Sequence, residues 1–184
     1  YGGTANGLVI SWPARIKDRG GIRPQWHHTI DIVPTIYEAT GVGQPSIVNG
    51  VAQKPIEGVG MSYSFNDAKV PSNRRTQYFE MFGNRAIYHD GWLARAIHRA
   101  PWRDAPDQTL QEDPWDLYNI EEDFSLTNDL AAEMPDKLKE MQDVFVNEAI
   151  SNNVYPLDDR LYERFNAAIA GRPDLMGTRT SLTL

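Results

Sequence analysis

Four histidines and no cysteine set the chemical repertoire of this chain. Without a thiol, these residues encode no sulfur nucleophile, no thiolate zinc site and no disulfide scaffold. Histidine and carboxylate chemistry remains. His27 and His28 are adjacent, and neighbours on a helix or strand point in different directions, so the pair is not expected to chelate one metal. His28 is the candidate substrate-binding residue, a pocket-edge donor to an anionic group; the competing role is a helix-start side chain bonded to backbone. Asp31 can serve as a metal ligand, but an acid just before a helix is more naturally an N-terminal cap. His89 and His98 flank the segment around Trp92 and are expected on a sheet surface. Glu121-Glu122-Asp123 lacks the glycine and spacing of a calcium loop and is expected to be solvated. Trp92, Trp102 and Trp115 suit the wall of an aromatic-substrate pocket, but large aromatics more commonly anchor a core beneath an antiparallel sheet.

The elements that would position these residues are legible in the spacing. Gly7-Leu8-Val9-Ile10-Ser11-Trp12-Pro13 is a short apolar run between Gly and Pro, and it predicts a buried strand. Apolar residues at Ile30, Val33, Ile36 and Tyr37, with Gly41 as the stop, predict a helix that must begin close to Pro34. Residues 42–76, rich in Gly, Pro, Ser and Asn, read as one long loop. Strand-like runs at 77–83 and 85–88 follow, and the Asp90-Gly91 step turns the chain into a return strand from Trp92 to His98. Trp115–Ile120 reads as a further strand of the same antiparallel sheet. From about Pro135 to about Asn153, Leu138, Met141, Phe145 and Ala149 form one apolar stripe, which predicts a helix packed on that sheet.

Composition narrows the class. The chain has 184 residues, 41% of them hydrophobic, with 19 aromatics, which is too apolar for a disordered segment. No apolar stretch approaches the roughly 18 residues that a membrane-spanning helix needs. The net charge of −7 is uneven. Residues 1–103 carry 12 basic and 7 acidic side chains, whereas residues 104–143 carry 2 and 13. The positive first part suits an anionic substrate, the acidic block reads as a solvated face, and an acidic chain is a poor wrapper of nucleic acid. A buried strand so near residue 1, and an alternating run at Thr178–Leu184 that stops at the last residue, lead to the expectation that this is a piece of a longer protein.

Taken in order, these features resemble the later part of a sulfatase of the bacterial arylsulfatase type, in the alkaline-phosphatase-like superfamily. The resemblance rests on Gly2-Gly3, the run ending in Trp12-Pro13, and His28-Thr29-Ile30-Asp31-Ile32-Val33-Pro34-Thr35. It continues through Ile56-Glu57-Gly58-Val59-Gly60, Tyr78-Phe79-Glu80, His89-Asp90-Gly91-Trp92 and Asp116-Leu117-Tyr118-Asn119-Ile120. Glu122-Asp123, Asn128-Asp129-Leu130-Ala131, the helix near Pro135 and Tyr155-Pro156-Leu157-Asp158-Asp159-Arg160 complete it. Each motif is weak; their order over roughly residues 1–160 is not.

The resemblance implies an α/β fold. Residues 1–76 would be the edge of an alkaline-phosphatase-like sandwich and 77–153 a small α+β C-terminal subdomain, with 154–184 as an extension. It implies hydrolysis of sulfate esters through a formylglycine nucleophile, with a bound calcium and cationic side chains neutralising the sulfate oxygens. The family's nucleophile, metal ligands and pocket lysine precede the Gly-Gly step, so no catalytic and no metal-binding residue is expected in this segment. Ser11-Trp12-Pro13-Ala14-Arg15 matches the core of the family's nucleophile motif, but it lacks the following Thr-Gly and the helix start, and it falls at the structural Trp-Pro strand. Ser11 is therefore read as a decoy. The implied partners are the preceding part of the same enzyme and a small sulfate ester, with no nucleic acid and no membrane. The competing roles are a phosphonate or phosphate diester hydrolase of the same superfamily, and a non-catalytic module through which like chains associate.

Overall fold

A computed structural model describes residues 5–100 and 102–160. The Gly2-Gly3 step, the run at 178–184 and most of the extension lie outside these residues. The chain divides into two compact units, one ending at Gln77 and one beginning at Tyr78.

The first unit is built around α1 (Ile32–Thr40), entered through a 3-10 turn at Thr29–Asp31 and closed by Gly41 in the left-handed conformation, with φ 69°. Pro34 sits in the first helical turn, where its missing N–H costs no helix hydrogen bond. The predicted stripe is largely uncovered: Ile30, Val33 and Ile36 are exposed and Tyr37 is half-buried, and Ile32 beside them is exposed too. The expected strand at Leu8–Trp12 does not form. Leu8, Val9 and Ile10 are exposed and irregular, Val9 at 93%. The physical reason is that a strand exists only by pairing its backbone, and no described strand lies alongside this run. The expected loop at 42–76 also contains structure: β1 (Ile47–Val48) and β2 (Val51–Ala52) pair around Asn49-Gly50, and a 3-10 turn spans Ser62–Ser64. Asn49 and Gly50 both have positive φ, the requirement of a two-residue hairpin turn.

The second unit is the predicted antiparallel sheet with one helix across it. Strands β3 (Thr76–Met81), β4 (Asn84–His89), β5 (Trp92–Ala96) and β6 (Trp115–Asn119) lie in sequence order. Asp90 and Gly91, at φ 44° and 83°, make the tight β4–β5 turn. Register then fixes the core. Ile87 pairs with Ala94 and Ala94 with Leu117, so three fully buried residues form a row on one face. Helix α2 (Pro135–Ser151) lays Met141, Phe145 and Ala149 on that row, with Leu138 partly buried at its edge. Phe145, in the same buried cluster as Ala94, stacks on Tyr78 at 4.9 Å and sits edge-on to Trp115 at 5.4 Å. The alternate row, Tyr88–Leu93–Tyr118, is buried on the opposite face. Beyond β6, the Asp129 carboxylate accepts the Leu117 N–H and Leu130 N–H donates to the Leu117 carbonyl, which occupies part of that edge.

Because Phe145 is 2% exposed, Phe145→Ala removes a ring from the centre of this packing. The expected cost is about 3–5 kcal/mol, read as a lower denaturation midpoint with an unchanged slope. A loss below about 1 kcal/mol would mean that the helix does not seal this core.

Candidate functional site

In the first unit the chemistry-bearing residues of the sequence converge on one carboxylate. Asp31 is fully buried. Its Oδ2 accepts the His28 backbone N–H at 2.8 Å, and its Oδ1 accepts the Val59 N–H at 2.8 Å. Arg74 closes the set: Nε lies 3.0 and 2.8 Å from the two carboxylate oxygens, and Nη2 donates to Oδ1. The same guanidinium donates to the Gln77 side chain at 3.0 Å and to the Glu57 carbonyl at 3.2 Å. Val59 reaches Asp31 because Gly58 crosses the helix entrance, where a Cβ would stand 2.1 Å from the Ile30 carbonyl oxygen. Thr35 ties the same turn down, donating to the Asp31 carbonyl at 2.6 Å and accepting Met61 N–H at 2.9 Å.

His28 is the N-cap residue of the 3-10 turn. Its Nδ1 faces the Ile30 N–H at 3.5 Å, and its ring is parallel to that of Trp26, with centroids 6.4 Å apart. The capping role assigned to Asp31 is thus shared: the Asp31 side chain bonds back to His28 rather than capping α1 itself. Burial, and then the nearby Arg74 charge, lower the His28 pKa against the pull of Asp31, which favours a neutral ring. His27 stands 3.6 Å from Asp31 Oδ2 and 3.4 Å from the Tyr63 hydroxyl. Its pKa is also lowered, chiefly by burial, with Asp31 opposing. For Asp31, burial raises the pKa, but Arg74 and the two backbone N–H groups outweigh it, so the net shift is downward.

No three His, Asp or Glu side chains among the described residues come together, and Asp31 spends its acceptor capacity on Arg74 and backbone. Ser11 is exposed and precedes a turn at 13–15 rather than a helix, and no described side chain hydrogen-bonds its hydroxyl. Glu121 and Glu122 are exposed, whereas Asp123 accepts the Thr127 and Asn128 N–H groups as a loop cap. Trp92 and Trp115 pack against the core, and Trp102 is 85% exposed.

One expectation is overturned in the second unit. His98 is not on the sheet surface but 4% exposed, its Nδ1 3.1 and 3.0 Å from the two Asp113 carboxylate oxygens. It lies beyond the end of β5, where strand alternation no longer dictates side-chain direction. Asn84 Oδ1 accepts the N–H groups of both His98 and Arg99, which turns the chain inward. Arg74, Arg85 and Asp113 were not singled out in the sequence. Their partners lie 43 and 28 residues away for the two arginines, and no local spacing encodes such pairings.

No family model matches the chain, and no curated protein does. Among solved structures, the chain is similar to a Bacteroides thetaiotaomicron protein from work on the metabolism of multiple glycosaminoglycans. That match has 18% identity and a TM-score of 0.43, over 64% of this chain and 24% of the other. A second, in complex with its substrate D-glucosamine-2-N,6-O-disulfate, has 16% identity and a TM-score of 0.48, over 71% and 25%. A third, in complex with k-i-k-neocarrahexaose, has 19% identity and a TM-score of 0.46, over 82% and 30%. The chain therefore spans between a quarter and a third of the length of the last two, and slightly less of the first.

The Asp31 cluster makes the first unit acid-sensitive. The unfolded chain takes up a proton on His27 near its ordinary value of 6.5, whereas the folded site resists it. This stabilisation is complete above that pH and is lost as pH falls through the lowered folded value. Asp31 adds a second loss, below its ordinary value of 3.8 and through its own lowered folded value. His27→Gln is expected to remove its share of the upper part of the stability–pH curve, leaving the share of His28, whose pKa is also lowered, and the lower part. Asp31→Asn is expected to flatten the lower part and to cost about 3–5 kcal/mol at neutral pH, because it leaves Arg74 buried without its counter-charge. Denaturant unfolding at stepped pH, followed at Trp12 and Trp26, measures both.

Proposed function

We propose that this chain is the later part of an arylsulfatase-type sulfate-ester hydrolase, and that its role there is to support the site rather than carry the chemistry. The observation that carries the reading is the ordered series of motifs from Gly2-Gly3 to Arg160, above all the His28–Thr35 segment. Asp31, Thr35, Gly58 and Val59 of that series form one interlocked unit, as a structural motif should. The uncovered apolar face of α1 and the exposed Leu8–Ile10 run suit the edge of a larger α/β body, in which both would be buried.

In this reading the formylglycine nucleophile and the calcium belong to the preceding part of the enzyme. The substrate is a small sulfate ester, and His28 sits at the margin of its pocket as a neutral, single N–H donor. The uncovered α1 face equally suits contact with a second copy of the chain, which is the non-catalytic alternative.

The test compares the isolated chain with the same polypeptide carrying its natural preceding sequence. The longer protein is expected to hydrolyse a nitrophenyl sulfate with a higher kcat/KM than a nitrophenyl phosphodiester, and the isolated chain to turn over neither. Ser11→Ala in the longer protein is expected to leave kcat within about twofold. Ser11-dependent turnover by the isolated chain would overturn the proposal. A preference for the diester would move it to the phosphonate and phosphate diester hydrolases.

A further inference from the structure

The second unit holds a buried charged cluster that the proposed function does not use. Arg85 on β4 pairs with Asp113, which also accepts from Gln108 at 3.2 Å and faces His98 Nδ1. The other ring nitrogen of His98, Nε2, lies 3.2 Å from Asp159 Oδ2. His98, Asp113 and Arg85 are each more than nine-tenths buried, while the Asp159 side chain is 38% exposed. The imidazole is thus held between two carboxylates on two different segments.

Asp159 ends a short strap. Its other end is fastened where Val154 N–H donates to the Ala149 carbonyl at 2.8 Å, at the close of α2. Between the two ties, Tyr155, Pro156 and Leu157 line a groove of about 410 Å³ together with Arg85, Trp115 and Phe145. We propose that His98 is a proton-dependent clasp that holds the strap Val154–Asp159 closed over this groove. Carboxylates accept and do not donate, so both contacts are hydrogen bonds only when both ring nitrogens carry hydrogen. Loss of one proton turns a nitrogen lone pair toward a carboxylate. Asp113 keeps Arg85 and Gln108 as donors and stays in place. Asp159 has no second donor among the described residues, is the more exposed of the two, and is released. The other charges around the ring do not substitute for the clasp. Glu80 on β3 engages the N–H of Gly83, which lies against the ring, and Arg99 donates to the Asp104 carbonyl.

Hydrogen exchange of the whole chain, corrected for the intrinsic pH dependence of exchange, tests the clasp at about pH 5.5 and about pH 8.5. The Val154 amide, whose hydrogen bond to the Ala149 carbonyl fastens the strap, is expected to exchange roughly tenfold or more faster at the higher pH, while the α2 amides from Met141 to Ala149 stay protected. Asp159→Ala is expected to exchange fast at both pH values. Asp159→Asn is expected to be protected at both, because a carboxamide can accept from the charged ring or donate to the neutral one. Equal protection of the parent strap at both pH values would overturn the clasp, as would an Asp159→Asn profile matching the parent. Nitrogen NMR of the His98 ring gives a readout that needs no variant. A bare ring nitrogen in a state whose strap is still protected would also overturn it.

Discussion

The first unit hangs on one fact of solvation: a carboxylate taken fully out of water must have every lone pair answered. Asp31 meets that demand with a guanidinium from 43 residues away and two backbone N–H groups, one from its own turn and one from the Gly58–Gly60 crossing. This single residue therefore fixes the entry to α1, the path of residues 57–61 and the position of Arg74. Little apolar burial assists it, since the helix's own apolar stripe is uncovered. The unit is thus organised by polar satisfaction more than by an apolar core.

The second unit is organised the opposite way. Register places Ile87, Ala94 and Leu117 in one line across three strands, and the period of α2 sets Met141, Phe145 and Ala149 over it. Two periodicities, two and 3.6, meet on one row. Most of the polar groups here serve the rim: Asp129 along β6, Lys137 over the Trp92 ring, and the His98 cluster beyond β5.

This contrast explains what could be read from the residues alone. The sheet, the Asp90-Gly91 turn and α2 were legible because their signals are local: alternation, a turn dipeptide, a proline at the helix start and a stripe that repeats. The α1 boundaries were legible for the same reason. The Leu8–Ile10 run was misread because an apolar run reports what a segment can pair with, not whether a partner is present. The β1–β2 ribbon was missed within a loop-like composition, although Asn49-Gly50 carried its turn signal. The Asp31–Arg74 and Arg85–Asp113–His98 pairings were not legible at all, since they join residues whose separation in sequence obeys no period.

The site residues carry a further lesson about chemical candidates. Histidines and acids are singled out because they can do acid–base work, but their availability depends on how many of their hydrogen-bonding positions the fold has already filled. Asp31 has none left for a metal. His27 is held beside Asp31 and Tyr63, and His98 has a carboxylate at each nitrogen. His28, half-buried with its ring against Trp26, caps the entrance of the helix that the sulfatase resemblance marks most clearly. The same filling gives His98 a different capacity. A ring bonded on both sides changes its bonding when it changes charge, and the more exposed of its two carboxylate partners is Asp159 on the strap.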